Sequence, residues 1–230
     1  MDDLDISVQN GFIRLDGYMA DDLSVVNSAR VSYGQERQEL DHRDIGLINY
    51  LMRWQHGTPF EHNAFRFHVK CPIFVAREWF RHRIGSFNEF SGRYSEMPAE
   101  FYVPDINNIR EQRGKQGNYE YSPILETREH EAAAAHAAIA EAGEKAFATY
   151  LYLLQMGVAK EQARLVLPLN IYTQFYWTVN ARSLMNFLAL RTSPTAQSEI
   201  REFADSAELL FAKVMPHTHE AWVKNGRIAP

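Results

Sequence analysis

The sequence predicts an α+β fold, one domain with an antiparallel or mixed sheet flanked by helices, on three observations. Strand-like segments come early and helical ones late, without the regular strand-helix alternation that builds a doubly wound parallel sheet. Phe65, Phe67, Val69 and Cys71 alternate with Arg66, His68 and Lys70, so one face of a strand packs inward while the other carries charge. None of the twelve glycines lies two residues from another, which leaves neither a G-x-G-x-x-G dinucleotide fingerprint nor a P-loop. At 230 residues and 46% hydrophobic the chain can bury a sizeable core, and no shift in composition divides it, so residues 1–230 read as a single domain.

Taken in order, residues 6–8 and 12–15 have β character interrupted by Gly11 and Gly17, which predicts a hairpin. Residues 41–55 place Ile45, Ile48, Leu51 and Met52 at helical spacing and stop at Gly57. Thr58-Pro59-Phe60-Glu61 has the form of a capping box with proline at the first helical position, although the strand that follows leaves little room for a helix. That strand ends at Pro72, and residues 73–83 read as a helix with Arg77 and Arg81 four apart on one face. Residues 105–121 are polar and aperiodic and read as a long mobile loop. The alanine-rich segment 129–156 reads as a helix closing at Gly157. A helix over 170–190 carries the stripe Tyr172, Phe175, Tyr176, simplest as core packing, and residues 198–223 form the last helix.

The formal net charge of −5 argues against a nucleic-acid polymer as partner, which needs a basic stripe. No apolar run reaches the roughly 18 residues of a membrane span, and no h-region follows the start, so a cytoplasmic location is expected. A single cysteine, Cys71, excludes an internal disulfide and a cysteine-based zinc cluster, in keeping with a reducing compartment. The spacing of His56, His62, His68 and Glu61 fits no standard zinc pattern, so no metal is expected; His217 and His219 read as solvated or interface residues.

Against that acidic background, residues 81–93 concentrate positive charge: Arg81-His82-Arg83-Ile84-Gly85-Ser86-Phe87-Asn88-Glu89-Phe90-Ser91-Gly92-Arg93. The stretch holds no lysine, and its guanidinium forks suit bidentate recognition of phosphate or carboxylate. A second cluster follows at residues 180–191, where Arg182 and Asn186 share a helix face and Arg191 falls near the helix C-terminus. Read alone, Arg191 is more simply a cation complementing the helix dipole than a functional group. Two clusters suggest two anionic ligands.

The first stretch resembles the signature R-H-R-x-x-S-x-N-E-x-S-x-R of the flavin-dependent thymidylate synthases and matches it at every specified position. The later residues Ala163-Arg164 with Leu167-Pro168-Leu169-Asn170, the run Trp177-Thr178-Val179-Asn180-Ala181-Arg182-Ser183-Leu184-Met185-Asn186-Phe187-Leu188, and Leu190-Arg191 are similar to the same family. So are His56-Gly57-Thr58-Pro59-Phe60-Glu61-His62 and Ala29-Arg30-Val31-Ser32, so the resemblance covers most of the chain. It implies FAD contacts at Ser32, His56, Thr58, Arg81, His82, Arg83, Glu89, Asn180, Arg182 and Asn186. It implies dUMP contacts at Glu78, Arg81, Glu89, Phe90, Ser91, Gly92, Arg93, Arg164 and Arg191, with Arg93 and Arg164 on the phosphate. Arg191 is the implied catalytic residue, a fixed cation facing negative charge that develops on the uracil.

The implied reaction is reductive methylation of dUMP to dTMP, with 5,10-methylenetetrahydrofolate as carbon donor and FAD reduced by NADPH, in a homotetramer whose active sites are shared among subunits. Cys71, on the apolar face of a strand, is assigned to the core rather than to nucleophilic attack. Ser91 has no base paired with it in sequence and is assigned to binding. Glu78 stands where the family more often has glutamine: a carboxylate accepts from a ribose hydroxyl but repels a phosphate, so Glu78 serves either the nucleotide or a pairing with Arg81 or His82 on its own helix. A noncatalytic nucleotide-binding protein would keep the arginines without needing the Asn180, Arg182, Asn186 face. A single-strand binder would stack bases on Phe87, Phe90 and Tyr94, which the net charge opposes.

Overall fold

The computed structural model describes residues 4–230. These gather into two compact units, the first from residues up to 71, 75–90 and 173–230, the second from residues 72–74 and 91–172. The predicted α+β class is found, with an antiparallel arrangement in each strand pair whose register is defined.

The chain opens with the expected hairpin of β1 (Asp5–Val8) and β2 (Gly11–Met19), Val8 opposite Gly11. Gly11 has φ +139°, and a Cβ there would fall 2.0 Å from the Lys70 carbonyl oxygen, so only glycine fits. Strand β2 continues through Gly17, absorbing it in a register shift between Leu15 and Gly17. Helix α1 (Asp22–Arg30) was not anticipated; Asp21 caps it, accepting from the Ser24 N–H at 2.6 Å. Helix α2 (His42–Arg53) agrees with prediction and starts from a complete capping box between Asp41 and Asp44.

Residues Thr58–Phe60 make only a single 3-10 turn without a side-chain cap, so the capping-box form of this segment is not realised. Strand β3 (Ala64–Pro72) buries Phe65, Phe67, Val69 and Cys71 as the alternation requires. Helix α3 (Ile73–Trp79) is shorter than the predicted 73–83 and leaves Arg81 outside it. The Arg81 and His82 N–H groups close tight turns onto the Glu78 and Trp79 carbonyls, and the chain then enters β4 (Ser86–Glu89). The signature therefore runs through a turn and a strand.

Residues 105–121 are not a mobile loop: β5 (Arg110–Lys115) and β6 (Asn118–Pro123) pair as a two-stranded ribbon. Every position of β6 is exposed, which removes the hydrophobic alternation that would have announced it. Helices α4 (Glu129–Gln155) and α5 (Lys160–Ala163) follow, with Gly157 left-handed (φ +80°) just past the end of α4.

The predicted helix 170–190 is instead strand β7 (Tyr172–Asn180) followed by helix α6 (Ala181–Arg191). Thr173, Phe175, Trp177 and Val179 are buried while Gln174 and Tyr176 are exposed, and this period of two overrides the apparent helical stripe. Prediction also gave one last helix where there are two, α7 (Ser198–Val214) and α8 (Pro216–Lys224). Pro216 lacks an N–H and pushes Met215 out of the helical region, to φ −130° and ψ 67°.

The main sheet has the order β1-β2-β3-β7-β4. On its buried face, Trp79 meets Phe175, Trp177, Phe187 and Phe203, and Trp177 in turn meets Phe67 and Phe187, in ring contacts 4.8 to 5.8 Å between centroids. In the second unit Tyr150, Ala163, Ile171 and Met97 form a separate core, anchored by the Tyr150 hydroxyl, which accepts from the Met97 N–H at 3.0 Å. No helix among the described residues is long and apolar enough to cross a membrane.

Candidate functional site

Three of the side chains assigned to flavin contact, Ser32, His56 and Thr58, lie far apart in sequence yet line one cleft of about 580 Å³. Its other walls include Arg30, Tyr33, Leu47, Tyr50, Pro59 and His62. The cleft is built by α1, the end of α2 and the turn at 58–60. Arg30 is fixed by its Nε–H and an Nη2–H, which both donate to Oδ1 of the fully buried Asp44 carboxylate, while Asp44 Oδ2 accepts from the Asp41 N–H and completes the α2 capping box, so one carboxylate ties the floor of the cleft to the helix start. Gln55 adopts φ +60°, rare for a residue other than glycine, as α2 ends, and His56 then stacks on Tyr50 at 5.8 Å. Hydroxyls and imidazoles beside the Tyr50 ring, Leu47 and Pro59 suit a planar heteroaromatic group with polar edges.

Arg182 lies against the same turn. Its Nη1–H donates to Glu61 Oε1 at 2.6 Å and its Nε–H to the Pro230 carbonyl. A Cβ at Gly57 would sit 2.7 Å from Arg182 Nε, so this glycine clears the path of the guanidinium. Asn186 shares the exposed face of α6 with Arg182, as expected. Asn180 is not on that face: it is the N-cap of α6, its Oδ1 accepting from the Ser183 N–H at 2.8 Å.

Arg191 is more than a helix-end charge. It donates from Nη1 to Glu78 Oε2 at 2.9 Å, from Nη2 to the Glu78 carbonyl at 3.2 Å and from Nε to His82 Nε2 at 3.0 Å. Glu78 therefore pairs across to α6 and with neither Arg81 nor His82, the partners considered on its own helix. Burial first, then the Arg191 charge, lower the His82 pKa to about 4, so the ring is neutral at pH 7. Since Nε2 accepts from Arg191, the ring proton belongs on Nδ1. Burial raises the Glu78 pKa, Arg191 opposes the shift, and Glu199 adds to it.

Arg81, Arg83 and Arg164 make no ion pair with any described residue and remain open to an anion. Glu89 accepts at 2.7 Å from the Thr173 hydroxyl, which orients its carboxylate at the end of β4. Phe90 continues the ladder by donating its N–H to the Gln174 carbonyl.

In the second unit Ser91, Gly92, Arg93 and Arg164 are brought together, because a Cβ at Gly92 would meet Met97 Sδ at 2.5 Å and the Arg164 stem at 3.3 Å. The Ser91 hydroxyl accepts from the Arg93 N–H at 3.3 Å, and it bonds no acid or base side chain among the described residues. Arg93 donates to Glu161 at 3.2 Å in a pair that is more than half exposed on both sides and is readily exchanged for a better anion. Cys71 is fully buried, and burial, aided by the Glu89 charge, pushes its thiol well above the usual range. Of the two histidines read as solvated or interface residues, His219 bonds Glu208 at 2.9 Å, and the His217 N–H donates to Asp22. Sequence reasoning missed Tyr50 and the Glu78-Arg191 contact; the first had no motif, and the second joins residues 113 positions apart.

With this geometry in hand, the family model described as "Thymidylate synthase complementing protein" matches residues 14–217. The chain belongs to that family. Among curated family members it is 46% identical to the flavin-dependent thymidylate synthase of Thermotoga neapolitana over 217 residues, 94% of this chain and 93% of the relative. The flavin-dependent thymidylate synthase of Thermosipho melanesiensis is 49% identical over 219 residues, 94% of this chain and 92% of the relative. Of solved structures in the family's fold, the UMP/dUMP methylase PolB of Streptomyces cacaoi bound with 5-Br dUMP superposes with a TM-score of 0.87 at 42% identity, covering 98% of this chain and 100% of PolB. The same methylase bound with 5-Br UMP gives 0.86 at 43% identity, with coverage of 95% and 96%.

Proposed function

We propose that the chain is a flavin-dependent thymidylate synthase that reductively methylates dUMP to dTMP. The reading is carried by one observation: Ser32, His56 and Thr58, the flavin-contact positions of the N-terminal part of the chain, meet on the wall of a single cleft. Ser32, His56, Thr58 and Arg182 would hold FAD on that side, with Arg81, His82, Arg83, Glu89, Asn180 and Asn186 as the further contacts. FAD, reduced by NADPH, supplies the hydride, and 5,10-methylenetetrahydrofolate supplies the carbon and leaves as tetrahydrofolate.

The protein's own work is binding, orientation and electrostatics. Arg93 and Arg164 offer two cations to a phosphate dianion, and Ser91 adds a hydroxyl. Arg191, oriented by Glu78 and His82, faces the uracil and stabilises negative charge on N3 and its flanking carbonyls. Neutral His82 adds no second positive charge beside it. Buried Cys71, with its thiol pushed up, is unsuited to attack a pyrimidine, which favours hydride delivery over a thiolate adduct.

The walls of the cleft do not include Arg81, His82, Arg83, Glu89, Asn180 or Asn186. A homotetramer in which one subunit's cleft is completed by another subunit's side chains would accommodate that division. A cytoplasmic setting, with Cys71 reduced, belongs to the same reading.

The test is the visible spectrum of the purified protein, before and after anaerobic NADPH and dUMP. A flavin band that bleaches with NADPH and responds to dUMP is the expected result. Protein that stays colourless after incubation with FAD overturns the reading in favour of a noncatalytic nucleotide-binding protein.

A further inference from the structure

The contacts of Arg191 leave little of its guanidinium free. Three of its five N–H groups are engaged by Glu78 and His82, which leaves one N–H on each Nη. The ion pair is sheltered, with Glu78 27% and Arg191 21% exposed, so the carboxylate acts on the arginine with less screening than a surface pair would have. We infer that Glu78 is a positioning residue for the proposed transfer: together with His82 it fixes the plane of the Arg191 guanidinium and offsets its charge, so that Arg191 meets the base through two directed N–H groups rather than as a free cation.

Physical chemistry favours such a clamp. An unrestrained arginine loses much of its side-chain entropy when it is ordered. If the ordering is already made in the folded protein, the donors stand ready where charge develops and need not reorganise during the reaction. The charged groups that act on Glu78 are Arg191 from α6 and Glu199 from α7, while His82, from the turn after α3, meets the same Arg191 guanidinium. Burial favours the protonated form of Glu78, Arg191 favours the carboxylate and Glu199 adds to the effect of burial, so the strength of the clamp follows pH. As pH falls and Glu78 takes up a proton, its bond to Arg191 loses charge assistance.

The inference rests on the proposed function, in which Arg191 faces the uracil. Its test compares wild type, Glu78→Ala and Glu78→Gln in kcat, KM for dUMP and flavin content across pH. Glu78→Ala is expected to lower kcat about tenfold or more, with a smaller change in KM and unchanged flavin content. Glu78→Gln keeps an oxygen that accepts from Nη1 but cannot titrate; it should recover most of the lost kcat and abolish the acidic limb that Glu78 gives the wild-type profile. A Glu78→Ala enzyme with wild-type kcat overturns the inference, and so does a Glu78→Gln enzyme that keeps the wild-type acidic limb. Should Glu78→Ala not fold, the profile of Glu78→Gln decides alone. Wild-type protein that forms no thymidylate overturns function and inference together, whereas active wild type with an unaffected Glu78→Ala variant overturns the inference only.

Discussion

Burial and the neighbouring Arg191 charge hold the His82 pKa at about 4, against 6.5 for a free imidazole, and this has a consequence for stability. Between those values the unfolded chain binds a proton that the folded chain refuses, so stability rises with pH through that window. The contribution is complete above pH 6.5 and is lost as pH falls toward about 4. Glu78, whose pKa is raised, works in the opposite sense just above its ordinary value and blunts the effect without reversing its origin. Thermal unfolding of His82→Gln should therefore show a shallower decline from pH 6.5 to about 4 than wild type; parallel curves would refute the assignment. Arg191→Ala acts on the same cluster, and if Arg191 faces the uracil it should lower turnover far more than flavin content, read from the absorbance of the purified variant. The family resemblance marked Arg191 and His82 as candidate site residues. It did not reveal their contact, because two residues 109 positions apart carry no periodic signal that links the end of α6 to the turn after α3.

At the scale of elements, the hardest stretch to read was residues 170–191. Aromatic residues at 172, 175 and 176 have helical spacing, yet burial follows Thr173, Phe175, Trp177 and Val179, and sheet packing decides between the two periods. The Asn180 N-cap marks the change from strand to helix, a signal the sequence carried in Asn180 three residues before Ser183. This also divides what Asn180 does between folding and binding. Asn180→Ala should cost about 1 kcal/mol through the lost cap, and Asn180→Asp should retain it. For a chain of this size that predicts a fall in Tm of about 2 to 4 °C for the alanine variant only. If both variants lose flavin but only alanine loses stability, the residue serves both purposes; equal Tm values would show that the cap contributes nothing. Helix α2 and strand β3 were legible because their periods were strong and their boundaries carried Asp41 and Pro72. The β5-β6 ribbon was not, since its stability does not come from a buried face that would leave a pattern.

At the scale of the whole molecule, the conspicuous fact is that the residues assigned to one cofactor do not share one wall. Ser32, His56 and Thr58 line the cleft, while His82 lies against Arg191 and Phe187. Two arrangements could satisfy both sets: one subunit supplies everything, or each site takes its cleft from one subunit and its signature from another. Light scattering should give a particle of about four times the 26.6 kDa chain mass if the tetramer forms. Mass alone does not distinguish the arrangements, but complementation does. His56→Ala and Arg191→Ala proteins, each inactive alone, are dissociated, mixed and reassembled. If cleft and signature come from different subunits, some sites in the hybrids join an intact His56 to an intact Arg191, and activity returns to about a quarter of wild type on random mixing. If both come from the same chain, every site carries one of the two substitutions and no activity returns. Recovery therefore reports which residues meet across an interface, and reassembled hybrids that stay inactive would exclude the shared site.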